Sequence, residues 1–190
     1  MPARKLDRDR VWTREEVLAL PDDGNRYELV DGMLLVSPSP KNRHQRVVRA
    51  LFRLVDPYVE RHAIGETLFA PADLDLRSSQ FVQPDLFVLP LDAGRSRGGV
   101  AAAGIPMLVA EVLSPSSVEH DRVAKRQLYQ KAGVATYWIV DLDARAFEVW
   151  TPRARKPVIE TQRVSWHPEA AAAPLVIGLE MFFAEDFGTE

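Results

Sequence analysis

Residues 81–90 read FVQPDLFVLP and residues 105–115 read IPMLVAEVLSP, two strand-like runs that each carry one carboxylate, Asp85 and Glu111. Branched and aromatic residues at this density favour buried strands. A carboxylate in such surroundings is costly unless it is paired or binds a cation. Successive strand residues point to opposite faces, so Asp85 has outward alternation as an equal reading. Glu111 resists that reading, because Met107 and Val109 share its parity and hence its face.

Outward from these runs the chain alternates helices and strands. Thr13 followed by Glu16 is a capping-box pattern for a short helix that ends before Pro21. RYELV and MLLVS flank Asp31-Gly32, a dipeptide suited to a type I′ hairpin turn, and Ser37-Pro38-Ser39-Pro40 ends the hairpin. From Lys41 to His62, Val47, Leu51, Leu54, Val55 and Tyr58 recur at helical spacing as one buried stripe. TLFAP and DLDLR read as strands before residue 81. Residues 92–104 hold Gly94, Gly98, Gly99 and Gly104 with Arg95 and Arg97, the composition of an exposed flexible loop. A helix is expected from about Val118 to Ala132, closed by Gly133. TYWIVDLD and AFEVW then form a hairpin, the basic turn Arg153 to Lys156 precedes another strand to Trp166, and MFFAEDF ends as a short helix. The expected class is α/β, a single domain over residues 1–190 with a mixed sheet and helices packed on it.

Two charge patterns stand out. Lys41, Arg43, Arg46, Arg49 and Arg53 lie on the long helix with no acid before Asp56, either a solvated face or a contact surface for a polyanion. On the later helix, Ala124, Leu128 and Ala132 define the apolar arc, and Asp121 and Lys125 project within it or at its edge. An ordinary i, i+4 ion pair, worth about 0.3–0.5 kcal/mol, explains the pair but not its place on the buried side. If that helix packs beside the strand of Glu111, Lys125 reaches toward both carboxylates.

Composition narrows the chemistry. The 190 residues are 46% hydrophobic and 27% charged with a formal charge of −3, which fits a globular core. The absence of cysteine excludes disulfides, thiolate metal sites and thiol nucleophiles. No run approaches the length of a membrane span, so the expectation is a cytoplasmic protein with no membrane partner. His44, His62, His120 and His167 show no HxH or HExxH spacing, and His44 at the helix start is the one to watch. Ser37 and Ser114 lack the G-x-S-x-G elbow, and no Walker A or G-x-G-x-x-G loop occurs.

RYELVDGML, HQRVVRAL, VQPDLFVL, LVAEVLSPSS, DRVAKRQLYQKAGVATYWIVD and AFEVW together resemble the Uma-two family of proposed endonucleases, within the PD-(D/E)XK restriction-endonuclease-like superfamily. The resemblance spans about Tyr27 to Trp150 in the family's order. It implies a restriction-endonuclease-like fold, with Pro84-Asp85 matching the PD element and Glu111 the second acid. The superfamily lysine is expected two residues after that acid, where this chain has Leu113. Lys125 is the natural substitute. Glu28 resembles the extra N-terminal acid of several such nucleases, with a plain exposed strand residue as the equal alternative.

The implied chemistry is metal-activated water hydrolysing DNA phosphodiester bonds. Oxygen donors favour Mg²⁺ or Mn²⁺, held by Asp85, Glu111 and the Val112 carbonyl. Lys125 would orient the water or offset transition-state charge, and Asp121 would position Lys125. Lys41, Arg43, Arg46, Arg49 and Arg53, with Arg95 and Arg97, would contact phosphates. A double-strand cut needs two sites, so a homodimer is expected. The alternative is a catalytically degenerate nuclease fold that binds nucleic acid or serves assembly, suggested by Leu113.

Overall fold

In the computed structural model, which describes residues 10–77, 80–91, 101–185 and 187, local chemistry sets the first elements. The Thr13 hydroxyl accepts from the Glu16 N–H and the Glu16 carboxylate accepts from the Thr13 N–H, closing the capping box of α1, Arg14–Leu18. β1, Asn25–Val30, and β2, Met33–Pro38, pair antiparallel with Val30 opposite Met33. Asp31 and Gly32 take φ of 49° and 81°, as a type I′ turn requires. Ser37 and Pro38 lie within β2 rather than beyond it.

The long helix α2 spans Asn42–His62 and buries Val47, Val48, Ala50, Leu51, Val55, Tyr58 and Val59. Leu54, expected on the same stripe, is 38% exposed, because burial depends on what covers the helix at each height as well as on angle. After Ala63 the chain turns into β3, Gly65–Phe69, which pairs with β6, Leu86–Pro90. A Cβ on Gly65 would stand 2.1 Å from the Leu89 carbonyl oxygen, so only glycine permits that strand approach.

FVQPDLFVLP is two strands, a correction to the single strand expected. β4, Asp73–Arg77, pairs with β5, Gln80–Val82, whose other neighbour is β1. β6 belongs to a different sheet. Pro84 has no N–H for a ladder, so the run breaks there and crosses between sheets. The loop expected over 92–104 is also corrected in part: Ala101–Ala103 form β7, parallel to β4. Arg95 and Arg97 lie outside the described residues. β8 covers Leu108–Val112, shorter than read, with Ile105 exposed before Pro106.

The helix expected over 118–132 opens as a π-helical stretch, His120–Lys125, and continues as α3, Arg126–Ala132, ending on Gly133 at φ 86°. β9, Thr136–Asp141, and β10, Ala146–Trp150, form the expected hairpin. The following strand is two, β11 at Val158–Glu160 and β12 at Arg163–Trp166, before β13, Leu175–Gly178, and α4, Leu179–Ala184.

Among the described residues the strands form sheets ordered β2-β1-β5-β4-β7, β11-β10-β9-β8-β6-β3 and β12-β13. The central six-stranded sheet is mixed, with β8 and β9 parallel. One face packs Leu86, Val88, Leu108, Ala110 and Trp138 against α2 and the C-terminal elements. The other packs Phe87, Val109, Tyr137 and Ile139 against Leu128 and Tyr129 of α3 and against the β1–β2 side. Coverage of both faces explains the near-continuous apolar runs. This is the expected α/β class, mixed sheets flanked by helices. No helix among the described residues is long and apolar enough to cross a membrane.

Candidate active site

The carboxylates meet where β8 ends and β6 begins. Leu86 pairs with Ala110, which sets Asp85 beside Glu111. The Val112 N–H donates to Asp85 Oδ2 at 2.9 Å, and the Asp85 N–H approaches Glu111 Oε2 at 3.4 Å. Glu28 arrives on β1, because Leu29 pairs with Phe81 of β5. Its Oε1 accepts from the Gln83 N–H at 2.8 Å, and Arg26 donates to the Gln83 carbonyl at 3.0 Å. The backbone groups freed at Pro84 are thus taken up by two side chains of β1. Glu28 is 1% exposed, so it is not a plain exposed strand residue, one of its two sequence readings.

The π-helical stretch turns Asp121 and Lys125 inward together, and both are buried. Lys125 Nζ lies 3.0 Å from Glu111 Oε1, 3.0 Å from Glu28 Oε1 and 3.4 Å from Asp121 Oδ1. One turn on, the Tyr129 hydroxyl donates to Glu111 Oε1 at 3.0 Å. Asp85 is held from α2 and β1: His44 Nε2 is 2.9 Å from Oδ2, and Arg26 Nη1 is 3.1 Å from Oδ1. Four buried acids therefore face two permanent cations, Lys125 and Arg26.

That imbalance appears in the proton affinities. Burial opposes ionisation of Asp85, yet the hydrogen bond and charge of His44, with Arg26 and Lys125, hold its carboxyl below the usual range. Glu111 goes the other way: burial raises it well above an ordinary glutamate, and Lys125 does not offset burial plus Asp85, Asp121 and Glu28. Asp121 is raised chiefly by burial, with Asp85 and Glu28 adding to it. Burial disfavours the Lys125 charge, but Glu111, Glu28, Asp121 and Asp85 outweigh it and lift its pKa well above that of free lysine. Lys125 is a fixed cation, while Glu111 and Asp121 hold protons readily.

Asp85, Glu111, Asp121 and Lys125, with Arg26, line a cavity of about 320 Å³. Its walls are Ser37–Pro40 with Lys41, Arg43 and His44 on one side and Ser114–Ser117 on the other. Of the expected phosphate contacts, Lys41 and Arg43 line this cavity, and Arg43 lies 3.8 Å from Asp143. Arg46 donates to the Phe187 carbonyl at 3.0 Å, and Arg49 and Arg53 are exposed farther along α2. Sequence reasoning missed Arg26 and Tyr129 and left His44 unassigned. The signals were present: Arg26 shares strand parity with Glu28, and Tyr129 continues the spacing of Asp121 and Lys125.

The sequence model of the Uma2 family, described as “Putative restriction endonuclease”, matches residues 14–181. No curated protein matches the chain. Among solved structures the chain is similar to one described as “a putative nuclease belonging to DUF820” from Anabaena variabilis, at 21% identity and a TM-score of 0.71. That likeness covers 90% of this chain and 97% of the other, and it shows a shared fold. With the family match running from α1 into α4, the chain belongs to the Uma2 family.

Proposed function

We propose that the protein is a divalent-metal-dependent endonuclease that hydrolyses DNA phosphodiester bonds, with Asp85, Glu111 and Lys125 as its catalytic groups and Glu28 and Asp121 in support. The observation that carries this reading is the convergence of Lys125 on Glu111, Glu28 and Asp121, with Asp85, Glu111, Asp121 and Lys125 lining one cavity. Leu113 lines the same cavity. That shared lining supports Lys125, from the next helix, as the substitute for the lysine expected at 113.

The donor set fits Mg²⁺ or Mn²⁺. Carboxylate oxygens dominate it, and among the described residues buried Asp121 Oδ1 accepts no hydrogen bond beyond its ion pair with Lys125 at 3.4 Å. The excess of buried acids over permanent cations leaves room for added positive charge. Mg²⁺ keeps several waters and takes one or two carboxylates, a number that Asp85 and Glu111 supply. Held by Asp85, Glu111 and the Val112 carbonyl, the ion would lower the pKa of a water and screen phosphate charge.

The chain's own residues do the remainder. Arg26 and His44 fix both oxygens of Asp85, so the carboxylate is oriented before substrate arrives. Tyr129 and Lys125 fix Glu111. The Lys125 ammonium, kept charged by its acids, offsets the negative charge that grows on the phosphate oxygens. Lys41 and Arg43 at the cavity wall meet the flanking phosphates, and Arg46, Arg49 and Arg53, with Arg95 and Arg97, extend that contact.

Incubation of plasmid and single-stranded DNA with Mg²⁺ or Mn²⁺, beside an Asp85→Ala variant, tests the reading. Nicked or cut products from wild type alone support it; identical products from both overturn it. A second reading, a degenerate nuclease fold that only binds nucleic acid, is favoured by Leu113 at the superfamily's lysine position. It predicts salt-sensitive DNA binding that persists in EDTA and in Asp85→Ala. The homodimer that a double-strand cut requires is tested by light scattering, and a strict monomer at micromolar concentration refutes it.

A further inference from the structure

Phe69 ends the edge strand β3 and is 48% exposed. Its ring meets Phe52 of α2 edge-on, with centroids 5.0 Å apart and an interplanar angle of 69°. Phe52 packs on the main core, so one ring is anchored and its neighbour stands open to solvent. A single exposed aromatic is ordinary on a protein surface. What sets this one apart is its position relative to the carboxylates and the arginines.

Phe69 pairs with Leu86, the residue after Asp85, and the N–H of Ala70 donates to the Asp85 carbonyl at 3.3 Å. The open ring is thus tied to Asp85 through the backbone of both β3 and β6. Arg49 stands one helical turn before Phe52 and Arg53 directly after it, both exposed. No acid interrupts α2 until Asp56, one turn beyond Phe52. An open ring braced on a helix that carries exposed arginines, and tied by backbone to the start of β6, combines the base platform and the backbone-tracking charge with which proteins hold single strands.

We propose that Phe69, braced by Phe52, is a stacking platform for unpaired nucleobases, and that the substrate reaches the carboxylate cavity as a single strand with its phosphates along Arg49 and Arg53. The inference rests on the nuclease reading and names its substrate class. Bases inside a duplex have both faces covered by their neighbours, so this ring has nothing to stack on in continuous double-stranded DNA.

The test uses full-length protein and fluorescein-labelled oligothymidylate, beside a blunt-ended two-strand duplex of equal length, with anisotropy read in EDTA so that binding is separated from cleavage. Phe69→Ala is expected to weaken oligothymidylate binding by roughly tenfold, the scale of one lost base–aromatic stack, and to leave duplex binding unchanged. Phe69→Trp is expected to retain the affinity and to add a fluorescence signal that oligothymidylate quenches. Thermal melts confirm that each exposed-site variant is folded. Unchanged oligothymidylate affinity in Phe69→Ala, or an equal loss for the duplex, overturns the inference. Cleavage in Mn²⁺ is scored separately: a protein that cuts but ignores Phe69→Ala keeps the nuclease reading and loses this one. A protein that binds single strands through Phe69 but never cuts does the reverse, and one that does neither loses both.

Discussion

The ammonium of Lys125 and the carboxylate of Glu111 stand 3.0 Å apart between the π-helical stretch and β8, with side chains only 4% and 2% exposed. Glu28 and Asp121 share the same cation. Removing one member of a buried charge set leaves the others uncompensated, at a cost of about 3–5 kcal/mol. Lys125→Ala is therefore expected to lower the unfolding free energy by about that amount. Urea denaturation reads it, and an unchanged midpoint contradicts the network.

The pH dependence of stability follows from Glu111. Its carboxyl is raised by burial, so the folded chain keeps a proton that the unfolded chain releases above the ordinary value of 4.5. This contribution is fully present below 4.5 and disappears as pH rises through the folded pKa. Asp85 has the opposite sign: its lowered pKa gives stability present above 3.8 and lost only in strong acid. Asp121, also raised by burial, has the same sign as Glu111, so between mildly acidic and mildly alkaline pH Glu111 and Asp121 together set the slope. In EDTA the melting temperature is expected to fall across that range, and Glu111→Gln is expected to flatten the fall. A wild-type curve that rises with pH would falsify the assignment.

Tyr129 donates to the same Glu111 oxygen as Lys125. Burial, with Glu111 beside it, pushes the phenol well above its usual pKa, so the hydroxyl remains a donor throughout the working range. Tyr129→Phe deletes that bond without changing the ring packing. A loss of about 1–2 kcal/mol is expected in equilibrium unfolding, with cleavage slowed because Glu111 is less firmly oriented. No change in either measurement means that Lys125 alone positions Glu111.

A cation bound to the folded state alone raises its stability by mass action, by about 2.7 kcal/mol at a hundredfold excess over the dissociation constant. Titration with Mn²⁺ is expected to raise the melting temperature of the wild-type protein and to leave Asp85→Asn unmoved. An equal rise in both proteins places the ion elsewhere.

Leu113 and Lys125 line one cavity, which makes the migrated lysine testable by moving it back. Lys125→Ala is expected to abolish cleavage, and Leu113→Lys in that background to restore a measurable part of it. Without any recovery, Lys125 acts through the stability of the acids rather than through its position at the phosphate.

Much of the scaffold was legible because it depends on neighbours in sequence. The capping box at Thr13, the Asp31-Gly32 turn and the stripe of α2 from Val47 to Tyr58 are decided within a few residues. So was the inward turn of Asp121 and Lys125, which spacing on one helix reveals. The acids of PDL and AEV stood out because burial penalises a carboxylate wherever the strand happens to lie.

What sequence spacing does not encode is which strands become neighbours. FVQPDLFVLP reads as one strand, but Pro84 cannot donate to a ladder, and the two halves join different sheets. Glu28 was undecided as a strand residue until the pairing of β1 with β5 carried it to Gln83 and Lys125. His44 and Arg26 acquire their roles only because α2 and β1 both abut the start of β6 and clamp one carboxylate. The sequence by itself determined the elements and the charges that are costly to bury. The tertiary structure alone decided that those charges share a cavity, because their mutual stabilisation depends on distances that only long-range packing sets.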